Sequence, residues 1–170
     1  MSRLLYAVLF ALAAPFAAAD VRELQWSDLI PPDAPPPPPP VAIHDLSQLA
    51  DVLGSEAGPA ALQQSPAEPV VKELEGVHAK LPGYIVPLGL GEDGRVTEFL
   101  LVPYFGACIH VPPPPSNQIV HATSELGVKV DELYQPFWIE GPIKAEHATS
   151  ELAEAGYRME AQSIYLYELE

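Results

Sequence analysis

Cysteine is nearly absent from this chain, which has a single thiol, Cys108, among 170 residues. A lone cysteine has no partner within its own chain. The internal disulfide framework that stabilises many small secreted domains is therefore excluded. The thiol is buried and inert, paired with another molecule, or a ligand of a metal ion. Burial is the default expectation, because a free cysteine packs like a small hydrophobic residue.

Basic residues are also scarce: 8 lysines and arginines stand against 23 aspartates and glutamates, which gives a formal net charge of −15. This excess of negative charge repels nucleic-acid phosphates and anionic lipids, so neither nucleic acid nor a membrane surface is expected as a partner. The charge suits cations or basic proteins. Solubility alone is the alternative explanation.

The chain lacks the apolar run of about 20 residues that a membrane-spanning helix needs. Its N-terminal apolar run, residues 4–16, is shorter; it follows the single charge of Arg3 and precedes three alanines, residues 17–19. This layout is typical of a cleavable secretory signal peptide. We expect cleavage after Ala19 to leave a soluble periplasmic chain of 170 − 19 = 151 residues with no membrane insertion, enough for one domain.

Proline, in contrast, is abundant. Six prolines form residues 35–40, and because polyproline II is the regular conformation open to such a run, we expect a stiff extended strut. The apolar residues before the strut are expected to dock on the domain. They are Leu24, Trp26, Leu29 and Ile30.

Past Val70 the chain consists of short apolar runs between turn residues, which predicts β-strands. The runs are residues 77–88, 95–104, 107–111, 118–121, 134–143 and 159–168. Two short helices are expected, one capped by Asp45 and one capped by Thr149 or Ser150 and ended by Gly156. The predicted fold class is mainly β: a small antiparallel, OB-like β-barrel with one or two short helices and a proline-rich N-terminal arm.

These segments divide the chain into three parts: a signal peptide (residues 1–19), an N-terminal arm with the proline strut and a short helix (20–69), and a β-barrel domain (70–170). A hexapeptide, His-Ala-Thr-Ser-Glu-Leu, occurs at residues 121–126 and again at 147–152. The flanking sequences do not match, so the repeat does not indicate a solenoid.

The strongest chemical signal is the pair Cys108 and His110, separated by one apolar residue. Residues i and i+2 of an extended strand face the same side, so a thiolate and an imidazole there could share zinc or, as the weaker alternative, copper. Zinc takes three or four protein ligands. The remaining candidates are His121, Glu98, Asn117 and His78, with His121 favoured because residues 118–121 can pair as the next strand. A buried cysteine beside a structural histidine is the alternative.

Nucleophilic catalysis by Cys108, with His110 or His121 as the base, is a further alternative. Side chains that are neighbours on one strand are poorly placed for proton transfer, and no acidic residue follows to orient the histidine. The sequence also has no phosphate-binding glycine loop, CxxC pair or dinucleotide fingerprint. We therefore do not expect an enzyme.

Residues 82–88 read PGYIVPL, and residues 96–120 read VTEFLLVPYFGACIHVPPPPSNQIV. With residues 23–31 and 155–159, they resemble a bacterial domain-of-unknown-function family of exported proteins with the signature FLLVPYFGACIHVPPPPxNQ. Members of this family resemble accessory periplasmic proteins encoded near ABC-type transporters and histidine-rich zinc-binding proteins. The resemblance implies a role in metal homeostasis.

Two functions are therefore expected. The first is a periplasmic accessory protein in zinc homeostasis that binds metal, docks on an ABC-type transporter or a periplasmic metal-binding protein, and uses no organic cofactor. Its metal ligands would be Cys108, His110, His121 and Glu98. The second is a metal-free periplasmic interaction module with a rigid proline-rich docking edge. The expected docking surface comprises Tyr104, Phe105, Pro112, Pro113, Pro114, Pro115, Asn117 and Gln118.

Overall fold

A computed structural model describes residues 21–34, 62–63, 65–108 and 111–168, which form a mainly β fold. Its strands are β1 (Arg22–Glu23), β2 (His78–Leu90), β3 (Val96–Val102), β4 (Val120–Val128), β5 (Phe137–Lys144), β6 (Ala148–Thr149), β7 (Glu154–Ala155), β8 (Tyr157–Glu160) and β9 (Ser163–Leu166). Short 3-10 helices lie at Trp26–Leu29, Lys72–Leu74, Ser116–Gln118 and Val130–Glu132. No helix in these ranges has the length and hydropathy of a bilayer-spanning segment.

Seven strands form one sheet in the order β1-β2-β3-β4-β8-β5-β9, and β6 pairs with β7 separately. The 13-residue strand β2 has three neighbours: residues 79–80 pair with β1, residues 78–83 pair with β5, and residues 84–90 pair with β3. Because β8 also joins β4 to β5, the pairings β2–β3–β4–β8–β5–β2 form a closed cycle.

Gly83 lies where β2 passes from pairing with β5 to pairing with β3. A β carbon at this position would lie 2.7 Å from the carbonyl oxygen of Val102 and 3.0 Å from the Trp26 ring. Glycine is required here because it lets the two backbones and the ring approach this closely.

The buried apolar residues form two clusters on opposite sides of β3. Phe99 and Leu101 belong to the main core, whereas Leu100 and Val102 belong to a second cluster. Successive residues of a strand face opposite sides, so a strand covered on both faces needs apolar residues at every position. This explains the uninterrupted apolar end of β3.

The N-terminal segment is fixed to the sheet by burial and by hydrogen bonds. Leu24 and Leu29 are fully buried in the main core, and the indole N–H of Trp26 donates to the carbonyl of Pro82 at 2.7 Å. The buried Tyr157 hydroxyl donates to the carbonyl of Leu29 at 2.7 Å and accepts from the backbone N–H of Val71 at 2.7 Å. Tyr157 therefore joins two distant segments of the chain.

Two features of the predicted architecture are wrong. The sheet is not wholly antiparallel, because β1–β2 and β4–β8 pair in parallel. The helix expected after Thr149 is instead the turn between β6 and β7, in which the Ser150 hydroxyl accepts from the backbone N–H groups of Leu152 and Ala153. Serine caps helices and turns by the same hydrogen bonds, so sequence alone does not distinguish them. The helix expected at Asp45 and the strut at residues 35–40 lie outside the described residues.

The repeated hexapeptide adopts a related local structure in both copies. The Ser124 hydroxyl accepts from the backbone N–H of Leu126 at 3.2 Å, and the Ser150 hydroxyl accepts from that of Leu152 at 3.3 Å. The Ser124 hydroxyl also donates to the backbone carbonyl of Ala161, and the Ser150 hydroxyl donates to that of Ala153. Ser150 follows the end of β6, whereas Ser124 lies inside β4, at the point where the register between β4 and β3 shifts.

Candidate functional site

Cys108 lies in the loop after β3, not on a strand. The described residues on either side of the loop form only an isolated parallel bridge between Ala107 and Val111. Cys108 itself has φ 65°, a left-handed conformation that costs a non-glycine residue about 1–2 kcal/mol. Cys108 is therefore not in the extended conformation that the strand predicted at residues 107–111 requires, and residues 109–110 lie outside the described residues.

Cys108 is buried in the second cluster, and only 4% of the residue is exposed. Its apolar neighbours in that cluster include Val86, Leu100, Val102 and Ile119. Burial disfavours the thiolate and raises the pKa of Cys108 to about 11, so the thiol stays protonated at neutral pH. His110, the proposed second ligand, lies outside the described residues.

The other two predicted ligands, His121 and Glu98, do come together. They lie on the adjacent strands β4 and β3, and His121 Nε2 lies 3.0 Å from Glu98 Oε1. The His121 side chain is largely buried, whereas half of the Glu98 side chain is exposed. His121 pairs across the strands with Leu100, so it lies on the same sheet face as the second cluster.

These residues do not assemble a complete metal-binding group in the described part of the chain. Within residues 21–34, 62–63, 65–108 and 111–168, no three histidine, cysteine, aspartate or glutamate residues are grouped to hold a metal ion. His78 was considered as a further ligand, but its Nε2 atom lies 3.4 Å from Oε1 of Glu140.

Five of the eight predicted docking residues line one cavity of about 240 Å³, which we call the proline groove. Its lining residues are Ile30, Glu68, Pro103, Tyr104, Pro114, Pro115, Asn117 and Gln118. The lining brings together three segments: the N-terminal segment, the chain before β2 that carries Glu68, and the chain between β3 and β4. Glu68 is its only ionisable carboxylate.

The polar residues of the proline groove have structural partners. Asn117 is buried and donates to the carbonyl of Pro69 at 3.1 Å, while Gln118 donates to the carbonyl of Trp26 at 2.8 Å. The neighbouring Ser116 hydroxyl accepts from the Glu68 N–H at 2.9 Å. These bonds hold the walls of the groove in place, so a ligand would contact mainly its apolar residues.

The four prolines do not form one exposed docking edge. Pro112 is exposed, but Pro113 and Pro114 are buried and Pro115 is half-buried. Consecutive residues of an extended proline segment point in different directions, so one side of the segment packs on the domain. The expectation that all four contact a partner stays a prediction, with Pro112 and Pro115 the more accessible of the four.

Phe105, the remaining predicted docking residue, lines a second cavity of about 240 Å³, which we call the aromatic pocket. Its lining residues are Tyr84, Ile85, Val86, Pro87, Phe105, Gly106, Leu133 and Tyr134. The rings of Tyr84 and Phe105 meet edge to face, with centroids 5.7 Å apart. Sequence patterns did not predict Tyr84 or Tyr134 as site residues, because the three aromatic residues line one pocket only through the fold.

A larger cleft of about 540 Å³ opens where β4 and β8 separate. This cleft is more polar than the proline groove and the aromatic pocket. Its polar lining residues are Thr97, Ser124, Glu125, Glu160 and Gln162. None of the residues predicted to bind a metal or a partner lies there. The two apolar cavities therefore remain the candidate sites.

Comparison with known proteins gives a family but no activity. The family model described as a protein of unknown function, DUF3299, matches residues 26–166. The crystal structure of a DUF3299 family protein from Pseudomonas aeruginosa PAO1 is 65% identical and aligns with a TM-score of 0.76. The match covers 88% of this chain and 98% of that chain. A comparison with curated proteins finds no match.

Proposed function

Because this chain belongs to DUF3299, a family of proteins of unknown function, we propose its function from its surface: it is an exported interaction module that binds another protein in the proline groove. The bound segment supplies an apolar side chain followed by a lysine or arginine. The observation that carries this proposal is the groove itself, where residues from three separate chain segments are held by hydrogen bonds around an apolar cavity.

The apolar part of the proposal rests on Tyr104 and the prolines. Tyr104 is 42% exposed at the edge of the groove, with Pro103, Pro114 and Pro115 beside it. Aromatic residues are enriched at protein interfaces, and proline surfaces lose little conformational entropy on binding because they are already rigid. Such a groove suits a partner side chain without a polar head group.

The basic part of the proposal rests on charge. Among the described residues, no lysine, arginine or histidine forms an ion pair with Glu68. The whole chain has a net charge of −15, which attracts a basic partner and raises its rate of association. A Lys or Arg beside the bound apolar residue would complete an ion pair with Glu68.

The finer architecture is part of the same proposal. We propose that the five strands of the closed cycle form a small OB-like barrel, with the prolines of residues 35–40 as a stiff arm. The cyclic order of β2, β3, β4, β8 and β5 supports the barrel. The family resemblance favours an ABC-type transporter component or a periplasmic metal-binding protein as the partner.

Zinc binding is the second candidate function, and one observation favours it. Two of its four predicted ligands, His121 and Glu98, lie 3.0 Å apart. Zinc would have to displace the proton of the buried Cys108 thiol and break the His121–Glu98 contact. The geometry therefore supports protein binding better than zinc binding.

The proline groove can be tested by site-specific photo-crosslinking in the native host. A photo-reactive amino acid at position 104 should give a defined adduct with one partner. The same amino acid at position 165 should not, although Tyr104 and Tyr165 are equally exposed at 42%. Glu68→Lys should lower the adduct yield, because it replaces the attractive charge with a repulsive one.

The partner segment identified by mass spectrometry can then be synthesised and titrated against the purified protein. We expect Glu68→Lys to weaken its affinity by roughly tenfold, the effect of losing one partly desolvated charge pair. Equal adducts at positions 104 and 165, or a peptide affinity that Glu68→Lys leaves unchanged, would contradict the proposal.

A further inference from the structure

The aromatic pocket differs from the proline groove in chemistry, and we propose that it binds a small organic cation with an alkylated ammonium group. The inference rests on a separate set of residues and does not depend on the proposed function. Its basis is that three aromatic residues, Tyr84, Phe105 and Tyr134, line one apolar cavity of about 240 Å³.

The three rings come from different parts of the fold. Tyr84 lies on β2, Phe105 lies in the loop after β3, and Tyr134 follows the 3-10 helix Val130–Glu132. Tyr84 and Phe105 are inclined at 68°, so they present differently oriented ring surfaces to the cavity. Phe105 is 59% exposed and Tyr134 is 67% exposed, which leaves both rings accessible to a ligand.

Aromatic rings attract cations because the face of each ring carries negative electrostatic potential. Several rings around one cavity are the usual site for alkylated ammonium groups, which combine a positive charge with an apolar surface. Val86 lies on the same face of β2 as Tyr84 and contributes an apolar surface to the lining. Its side chain would contact the methyl groups of such a ligand.

Two observations favour a cation over a neutral apolar ligand. No lysine, arginine or carboxylate lines the pocket, so nothing in the lining repels a cation or binds a strongly hydrated metal ion in preference. The chain as a whole has a net charge of −15, which concentrates cations near its surface. Asp131 and Glu132 also lie immediately before Leu133 and Tyr134 in the sequence.

Calorimetric titration with choline, compared with neohexanol, tests the charge directly. Neohexanol is the choline analogue in which carbon replaces the positive nitrogen, so the two ligands share shape and hydroxyl group. We expect choline to bind about tenfold more tightly than neohexanol, because only choline makes cation–π contacts. Equal affinities would show a merely apolar cavity and would overturn the proposal.

Substitutions locate the binding site. Phe105→Leu and Tyr134→Leu each keep an apolar side chain but remove a ring, and each should weaken choline binding by roughly three- to tenfold. Tyr165→Leu removes an exposed ring on β9, outside the pocket, and should leave the affinity unchanged. Circular dichroism should show that all three variants fold. Choline binding that is unaffected by both pocket variants would overturn the assignment.

A phosphocholine titration separates two sources of the same ammonium group. Affinity equal to that of choline would identify a lipid head group as an acceptable ligand. Weaker affinity would identify a free ammonium compound, because the acidic surface repels the phosphate. Both results require the aromatic pocket to bind the ammonium group.

Discussion

At the scale of single residues, Cys108 shows what sequence does and does not reveal. The sequence identified it as the only thiol and gave burial as the default. It did not reveal the left-handed backbone at Cys108 or the packing of its side chain among distant residues such as Val86 and Ile119. Such packing depends on contacts between strands, which local patterns do not specify.

Alkylation of Cys108 by iodoacetamide should be slow in the native protein. Burial raises the pKa of the Cys108 thiol to about 11. The reactive thiolate at pH 8 is therefore roughly 100-fold scarcer than in the unfolded chain. We expect at least this difference in rate, measured by mass spectrometry with and without denaturant, and a native rate that rises as the pH approaches 11.

The same alkylation assay tests whether zinc binds at Cys108. With no zinc bound at Cys108, adding one equivalent of zinc should leave the alkylation rate of the native protein unchanged. His147→Ala, which alters an exposed histidine, serves as the control. Zinc protection that is lost on His121→Ala but kept in the control would restore the metal site as the better proposal.

At the scale of elements, alternation and turn residues predicted β2 and β3 well but only the beginning of β4 (Val120–Val128), for which the expected run was residues 118–121. The expected run at residues 77–88 corresponds to β2 (His78–Leu90), and the run at 95–104 corresponds to β3 (Val96–Val102). The expected run at 159–168 is interrupted, with β8 ending at Glu160 and β9 beginning at Ser163. Gly141 explains the close packing there: a β carbon on it would lie only 2.1 Å from the carbonyl oxygen of Glu160.

Trp26 should matter more to stability than the other tryptophan, Trp138. Trp26→Phe removes the indole N–H that donates to Pro82 and leaves that carbonyl without this partner. We expect a loss of about 1–3 kcal/mol in the free energy of unfolding. For a domain of this size that corresponds to a decrease in Tm of about 2–4 °C per kcal/mol, measured by thermal circular dichroism.

Trp138→Phe is the matched control. The Trp138 ring packs against Tyr167 and lies 4.4 Å from the Lys80 ammonium, but its indole nitrogen makes no hydrogen bond among the described residues. A phenyl ring retains most of that packing, so the decrease in Tm should be smaller. Equal decreases would show that the Trp26 hydrogen bond does not fix the N-terminal segment.

At the scale of the whole molecule, the short apolar runs between turn residues predicted the mainly β class, while the mixed strand directions required the structure. The parallel β4–β8 pair joins residues about 37 positions apart, and no turn motif in the sequence indicates this pairing. The candidate cavities were likewise only partly predictable. Residues of the loop after β3 stood out in the sequence, but their distant neighbours Glu68 and Tyr134 did not, and neither Ile30 nor Tyr84 was predicted to line a cavity.

Removal of the predicted signal peptide can be checked by measuring the mass of the mature protein. Protein purified from its native host should begin at Asp20, with 7 basic residues against 23 acidic ones after loss of Arg3, a formal charge of 7 − 23 = −16. Intact-mass spectrometry of the periplasmic fraction measures this directly. Finding Met1 in the mature protein would remove the basis for export.

The position of β8 determines when this molecule becomes complete during its synthesis. Residues 157–160 lie between β4 and β5 in the sheet, although they are synthesised after both of those strands. Until β8 has been made, the edges of β4 and β5 that it covers remain unpaired. Nascent chains that lack residues 157–160 therefore expose the open strand edges from which aggregates grow, and they are the form that most needs a chaperone.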